Sequence, residues 1–341
     1  MLRHPPGEWF LRSIAWRALQ AVPLLFGILT ITFVVTRTLG DPVAQIAGPL
    51  ATPSQIHALR HQLGFDRPLI DQYGRYLSQL AHGDLGQSLS TNQPVSGEIR
   101  QRLGGTLELI VLGVALATIW GITVGALACY RRRFGRFFHG LAVIGLATPD
   151  FVLGLVLALV FAFKLGWAPA PIGQIGLATP TPPTRTGGIA LDALIAGQWG
   201  TFWSALGFLV LPVITLGFVY GAPIAKLAEG AMRTTRSKAY IEYAELVGLS
   251  RSRVFRYTLR NSLPSILTVS GAVAGYLVGG IVLVEIVFSW GGIGQWAAQS
   301  ILALDLPAIQ AFVLIAAVCT LCIYLLLDIA YGVIDPRVRG S

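Results

Sequence analysis

The sequence predicts an all-α polytopic membrane protein with six transmembrane helices. Two observations lead there. Of its 341 residues, 54% are hydrophobic and only 12% charged, about half the charge fraction of an ordinary soluble domain, and the mean hydropathy is +0.67. Six apolar runs, over about 17–38, 105–130, 139–165, 203–225, 264–289 and 308–332, each approach the roughly 20 helical residues that cross a hydrocarbon core. An α-helix satisfies its backbone polar groups internally, so these runs read as helices.

The first run has its apolar stretch from Ala21 to Val35, with no small-x-small site directly after it. It therefore reads as a retained span rather than a cleaved leader. Basic residues orient the rest. Arg3, Arg12 and Arg17 precede the first run, and Arg131, Arg132, Arg133 and Arg136 follow the second. Lys226, Arg233, Arg236, Lys238, Arg251, Arg253, Arg256 and Arg260 follow the fourth, and Arg337 and Arg339 close the chain. With both termini inside, these 17 of the 25 Lys and Arg share one side, as the excess of basic residues in cytoplasmic segments requires. The net charge of +9 is thus an orientation signal plus one basic loop, and no nucleic-acid partner is expected. The expected division is a cytoplasmic tail 1–16, a first span 17–38, a folded external loop 39–104, a core of five spans 105–332 with a cytoplasmic loop 226–263, and a cytoplasmic tail 333–341.

The external loop carries helix punctuation. Thr52-Pro53-Ser54-Gln55 is a capping box with proline at the first helical position. Pro68 opens a second helix, with Leu69, Tyr73, Tyr76, Leu77 and Leu80 on one face, ending near Gly83. The stretch 166–202 is rich in Pro and Gly and reads as irregular. Cys129, Cys319 and Cys322 all lie in apolar runs, so no disulfide framework is implied.

The most informative segment is YIEYAELVGLSRSRVFRYTLRNSLP, from Tyr240 to Pro264. It is too charged for lipid and too patterned for a slack linker. Good helix formers up to Val247 are followed by Gly248, which suits a left-handed helix end, and by Ser250, a natural N-cap. The next helix puts Val254, Phe255, Thr258, Leu259 and Leu263 on one side and Arg251, Arg253, Arg256 and Arg260 elsewhere, and Pro264 marks re-entry to the membrane. Taken alone, such a basic helix pair fits either a partner-binding knob or a helix resting on anionic lipid.

Glu242-Tyr243-Ala244-Glu245-Leu246-Val247-Gly248 resembles the EAA loop of ABC importer permeases, with Tyr243 departing at the first alanine. The spacing to Leu263-Pro264 is similar to that of the dipeptide/oligopeptide/nickel branch. So are Leu39-Gly40-Asp41-Pro42, Gly83-Asp84-Leu85-Gly86-Gln87-Ser88-Leu89, Thr106-Leu107-Glu108-Leu109, Glu285-Ile286-Val287-Phe288-Ser289-Trp290, Leu327-Asp328 and Asp335-Pro336-Arg337, in order along more than 300 residues. The resemblance is to the first, B-type, permease of such a system. It implies a type I importer permease fold, a second similar permease, two cytoplasmic ATPase subunits, an external substrate-binding protein, and residence in a bacterial or archaeal cytoplasmic membrane. It implies coupling to the ATPase through Tyr240, Glu242, Ala244, Glu245, Gly248 and Leu249, and contact with the binding protein around the turn at Asp84 and Gly86. No GxxxxGK[ST] loop occurs, so the chain is expected to hold no cofactor and to leave ATP and Mg to its partners.

Ionisable groups within spans are costly and mark candidate sites. Asp150, beside the kink expected at Pro149, and Glu285, near the outer end of the fifth span where water is expected to reach, are the candidates for a substrate pathway. Glu108 reads as an interfacial cap, and Asp328 as a pairing residue. Gly271, Gly275 and Gly279 form a small-residue stripe suited to close packing, or to a seam against the partner permease. An intramembrane aspartyl protease would need a GxGD context that is absent, and an ion-coupled carrier would show two related halves. Peptides are the expected cargo, with nickel chelates, glutathione and oligosaccharides as alternatives carried by the same architecture.

Overall fold

The computed structural model describes residues 6–38, 43, 47, 51–130 and 134–334. Leu39-Gly40-Asp41-Pro42, Arg3, Arg131–Arg133, the tail from Asp335 and the side chain of Asp328 lie outside the described residues. Within them the chain forms helices and irregular segments. These are α1 (Pro6–Thr38), α2 (Pro53–Leu63), α3 (Leu69–Ala81), α4 (Val95–Tyr130), α5 (Gly135–Ala147), α6 (Asp150–Leu157) running into a π-helical segment Ala158–Lys164, and α7 (Ile189–Ile195). They continue with α8 (Trp199–Arg236), α9 (Ala239–Leu246), α10 (Arg251–Gly280), α11 (Val282–Val287), α12 (Ile293–Leu302) and α13 (Leu306–Ile334). Among the described residues, five helices are long and apolar enough to cross a membrane, and six spans result if the bent pair α5–α6 counts as one.

The core is the α4–α8 pair. Small residues let the two backbones meet: side chains at Gly113, Gly121 and Gly125 would strike Leu216, Ile224 and Ala228, and those at Gly217 and Gly221 would strike Leu116 and Trp120. Close approach through small residues is how helices associate where lipid offers no hydrophobic drive. The α10 helix packs on α8 and α13, and α1 lies along α13. The two helices predicted within 52–83 both form. Thr52 and Gln55 exchange the two bonds of a capping box at the start of α2, and α3 seats Tyr73 and Tyr76 against Phe33 of α1.

Three expectations change, and one open alternative is decided. Pro264 does not interrupt the helix: α10 runs through it from Arg251 to Gly280, so the basic helix and the fifth span are one rod. The lost N–H leaves one carbonyl a turn back unbonded, which a long packed helix tolerates. That span is interrupted only at Ile281, between α10 and α11, where the backbone stays near helical angles. Pro149 does more than kink: the chain turns by 105° between α5 and α6. The residue before a proline avoids the helical region, and Thr148 is extended at ψ 120°. Finally, Gly271 and Gly275 face Leu327 and Tyr324 of α13 in the same chain, while nothing lies within 4 Å of a side chain at Gly279. The glycine stripe is therefore mainly an internal seam.

Candidate functional site

At the basic end, α9 forms the predicted knob. Ile241 and Ala244 are buried and fix the helix to the body. Tyr240, Tyr243, Leu246 and Val247 point outward, with Tyr243 67% and Leu246 80% exposed. Gly248 ends the helix at φ +80°, and no atom lies within 4 Å of where its side chain would sit. The turn thus depends on backbone conformation alone, which costs an L-residue about 1–2 kcal/mol. Ser250 occupies the N-cap position of α10 without a side-chain cap bond. Val254 and Thr258 are buried, as the predicted apolar side requires.

Behind the knob, Arg236 spans two elements. Its guanidinium lies 4.7 Å from the ring of Tyr130 on α4 and 3.8 Å from Glu245 on α9. Nearby, Glu229 of α8 is buried and accepts bonds from Arg233 at 2.6 Å and from the His139 ring at 2.9 Å. It ties α5 to α8. Glu242 and Glu245 line a groove of about 760 Å³ with Arg136, Arg233 and Arg236.

Within the spans, Asp150 begins α6. Its Oδ1 accepts the Phe151 N–H at 2.7 Å, and its Oδ2 accepts the Tyr220 hydroxyl of α8 at 2.8 Å. The Tyr220 ring lies 6.0 Å from that of Tyr276 on α10, and Tyr276 is exposed on the helix surface. Asp150 is half-buried, with both carboxylate oxygens bonded. Glu285 is different. It is 0% exposed, where water was expected. Oε1 accepts from Thr106 Oγ1 at 2.6 Å and Oε2 from the Gln295 N–H at 2.8 Å. Thr106 Oγ1 in turn accepts the Ile293 N–H. Glu285 therefore clamps α4, α11 and the start of α12 together. Glu108 acts as the expected cap, accepting the Leu191 N–H at 2.7 Å from α7.

At the opposite end, Asp84 Oδ1 accepts the Gly86 N–H at 2.8 Å, and Gly86 sits at φ +78°. This turn starts a segment that folds back onto the α12–α13 junction. There Asp305, 0% exposed, accepts from Ser88 Oγ at 2.5 Å, Ser90 Oγ at 2.9 Å and Ser90 N at 3.2 Å. A second buried carboxylate, Asp192, collects the N–H groups of Arg185, Thr186 and Gly187 and the Thr186 hydroxyl. Burial alone pushes Asp192 up, but its four donors outweigh that and hold it below its ordinary value. The ordered turn at Gly187–Gly188 presses directly on α4 at Gly104.

A family model described as binding-protein-dependent transport system inner membrane component matches residues 117–340, and the N-terminal model for the same membrane components matches residues 10–110. The chain belongs to this family. The permease is 37% identical over 335 residues to the di/tripeptide transport system permease protein DppB of Pseudomonas aeruginosa (strain UCBPP-PA14), covering 96% of this chain and 99% of the relative. It is 38% identical over 336 residues to the probable D,D-dipeptide transport system permease protein DdpB of Escherichia coli (strain K12), covering 97% and 98%. To the dipeptide transport system permease protein DppB of the same strain it is 34% identical over 339 residues, covering 96% and 99%.

Several organising residues of this permease escaped the sequence reading. Glu229 stands in the buried stripe of α8 beside Ala225, Ala228 and Met232, a position where an acid needs partners. Asp305 precedes Leu306-Pro307, a helix-start signal that was legible. Nothing in sequence spacing points Tyr220 at Asp150, 70 residues earlier.

Proposed function

We propose that this permease is the B-type membrane subunit of a peptide importer of the inner membrane, with both termini and the α9 knob in the cytoplasm. It pairs with a second permease to enclose the pathway. Separate subunits hydrolyse ATP with Mg, and an external binding protein delivers di- or oligopeptides. The reading rests first on α9. A helix anchored by two buried residues offers four exposed apolar side chains at a basic end, away from the spans, and an exposed apolar patch on structured backbone marks a docking site. The named functions of the relatives supply the peptide.

In this reading Tyr240, Glu242, Ala244, Glu245, Gly248 and Leu249 form the coupling element, Ala244 from beneath and the others at the surface. The division into tail, first span, external loop 39–104, core 105–332 with loop 226–263, and tail 333–341 is kept. Asp150, with Tyr220, lines the pathway and receives the cationic end of the peptide. Glu285 shapes that pathway from behind as a clamp. The Asp84–Gly86 turn lies on the face that seats the binding protein. Gly248→Val in the assembled transporter tests the coupling element. ATP hydrolysis should continue while dipeptide uptake in vesicles falls by about tenfold or more, since the strain acts on the turn alone. Undiminished, tightly coupled uptake overturns the assignment. Dipeptide uptake in cells lacking the native importer tests the cargo.

A further inference from the structure

Where α1 meets the external helices there is a cavity of about 170 Å³. It is lined by Arg37 from the end of α1, by Gln72, Arg75, Tyr76 and Gln79 of α3, and by Gln310 of α13, among others. That is smaller than pockets for drug-sized ligands and suits one compact group. Its polar atoms are poorly matched. Arg37 Nε and Nη1 and the Tyr76 hydroxyl are buried without a hydrogen-bond partner, as is Gln72 Oε1. Buried donors left unbonded are costly, so such a group calls for an explanation.

The arrangement is held in place. The Arg37 guanidinium lies 4.2 Å from the Phe65 ring centroid and 5.3 Å from that of Phe33. Arg75 is near enough for its charge to act on Arg37, and it packs 3.0 Å from where a side chain on Gly64 would begin. Burial and the neighbouring Tyr73 push the Tyr76 phenol up to about 12, so it keeps its proton and remains a donor. Asp84 also lines the cavity, but it forms no ion pair with either arginine and its Oδ1 is already bonded to Gly86. Arg37 and Arg75 bring two like charges to a cavity whose nearby buried donors are unpaired, and an anion seated there would join them.

We propose that this cavity binds an oxyanion, the phosphate of a phospholipid headgroup. The position favours the lipid source. The α1 helix is a span with little of its surface buried, and Phe26, Ile31, Val34 and Val35 are exposed below the cavity, giving acyl chains an apolar surface leading to it. Arginine suits the task because its planar fork grips phosphate through two N–H groups. Such a lipid would fasten the external helices to the first span. This inference does not depend on the cargo or on the coupling role of α9.

The test uses the full chain purified in detergent and titrated in separate arms with short-chain phosphatidylglycerol and with inorganic phosphate. Binding is read by native mass spectrometry and by the shift in thermal unfolding. The wild type should bind phosphatidylglycerol at least about tenfold more tightly than the Arg37→Gln/Arg75→Gln variant, one tenfold being about 1.4 kcal/mol. Arg75→Gln alone, at an exposed position, should weaken binding without lowering the unfolding temperature of the lipid-free chain, because it relieves like-charge repulsion. Tyr76→Phe should weaken it less. Equal affinity for inorganic phosphate would keep the oxyanion site and assign it to a soluble anion. If neither ligand distinguishes the wild type from the double variant, the proposal is wrong.

Discussion

Asp305→Ala should unlatch the segment that joins α3 to α4. Asp305 Oδ2 accepts from Ser88 Oγ at 2.5 Å, Ser90 Oγ at 2.9 Å and Ser90 N at 3.2 Å, and Oδ1 accepts from Ala308 N at 3.3 Å. A hydrogen bond to an ionised acceptor contributes about 1.5–3 kcal/mol. The three bonds on one oxygen belong to a single network and do not add, and the 3.3 Å bond is the weakest. Removing the carboxylate strands buried donors, so the loss should fall in the roughly 3–5 kcal/mol range found on breaking a buried charged contact. At 1.4 kcal/mol per tenfold, that is about two to three and a half orders of magnitude in the population of the opened segment. Amide hydrogen exchange on the full chain reads this directly. The amides of Ser88, Asn92 and Val95, bonded to Gln93, Ser88 and Gly86, should exchange about a hundredfold faster while those of α8 keep their protection. Asp305→Asn, which keeps one acceptor oxygen, should fall between. If the alanine variant exchanges within about threefold of the wild type at these amides, the carboxylate is not the latch.

Other outcomes follow from the same contacts. Gly104→Ala should lower the unfolding temperature by an amount equal to about 1–3 kcal/mol, because the new methyl meets the Gly188 backbone. Asp192 is held below its ordinary 3.8, so it stabilises the 185–192 turn above that pH and loses the contribution as pH falls through its lower folded value. Protease sensitivity of the turn should therefore stay flat from neutrality to about pH 4 and rise only below it. Glu229→Gln should loosen α5 from α8 and expose Cys129, which lies in the adjoining groove, to a thiol reagent; an unchanged labelling rate would count against the tie. Asp150→Asn and Tyr220→Phe should each reduce uptake of cationic peptides more than of neutral ones, and equal losses would make the pair structural.

Much of this architecture was legible because lipid imposes long apolar runs and punctuation is local. The capping box at Thr52, the start of α3 after Pro68 and the left-handed end at Gly248 all formed where the sequence placed them. Proline was less reliable. At Pro149 the preceding residue left the helical region and the chain turned, while at Pro264 packing along α10 overrode the missing bond. The carboxylates were legible as unusual, but their partners were not. Glu285 meets Thr106 across 179 positions, and Asp305 meets Ser88 across 217. Pairing at such distance is decided by which helix faces meet, and a single sequence carries no record of that.

The continuity of α10 has a mechanical meaning. Thirty residues of uninterrupted helix make a lever about 45 Å long. Its near end is the turn beside the knob, and its far end is the break at Ile281, next to the Glu285 clamp. A helix transmits torque with little loss, so a tilt applied at the turn reappears at the break, reversed about whatever point along the rod stays fixed. The close seam at Gly271 and Gly275, about three-quarters of the way along, is the natural fulcrum. A push of a few ångströms at one membrane face would then be answered by a smaller, opposite swing at the other.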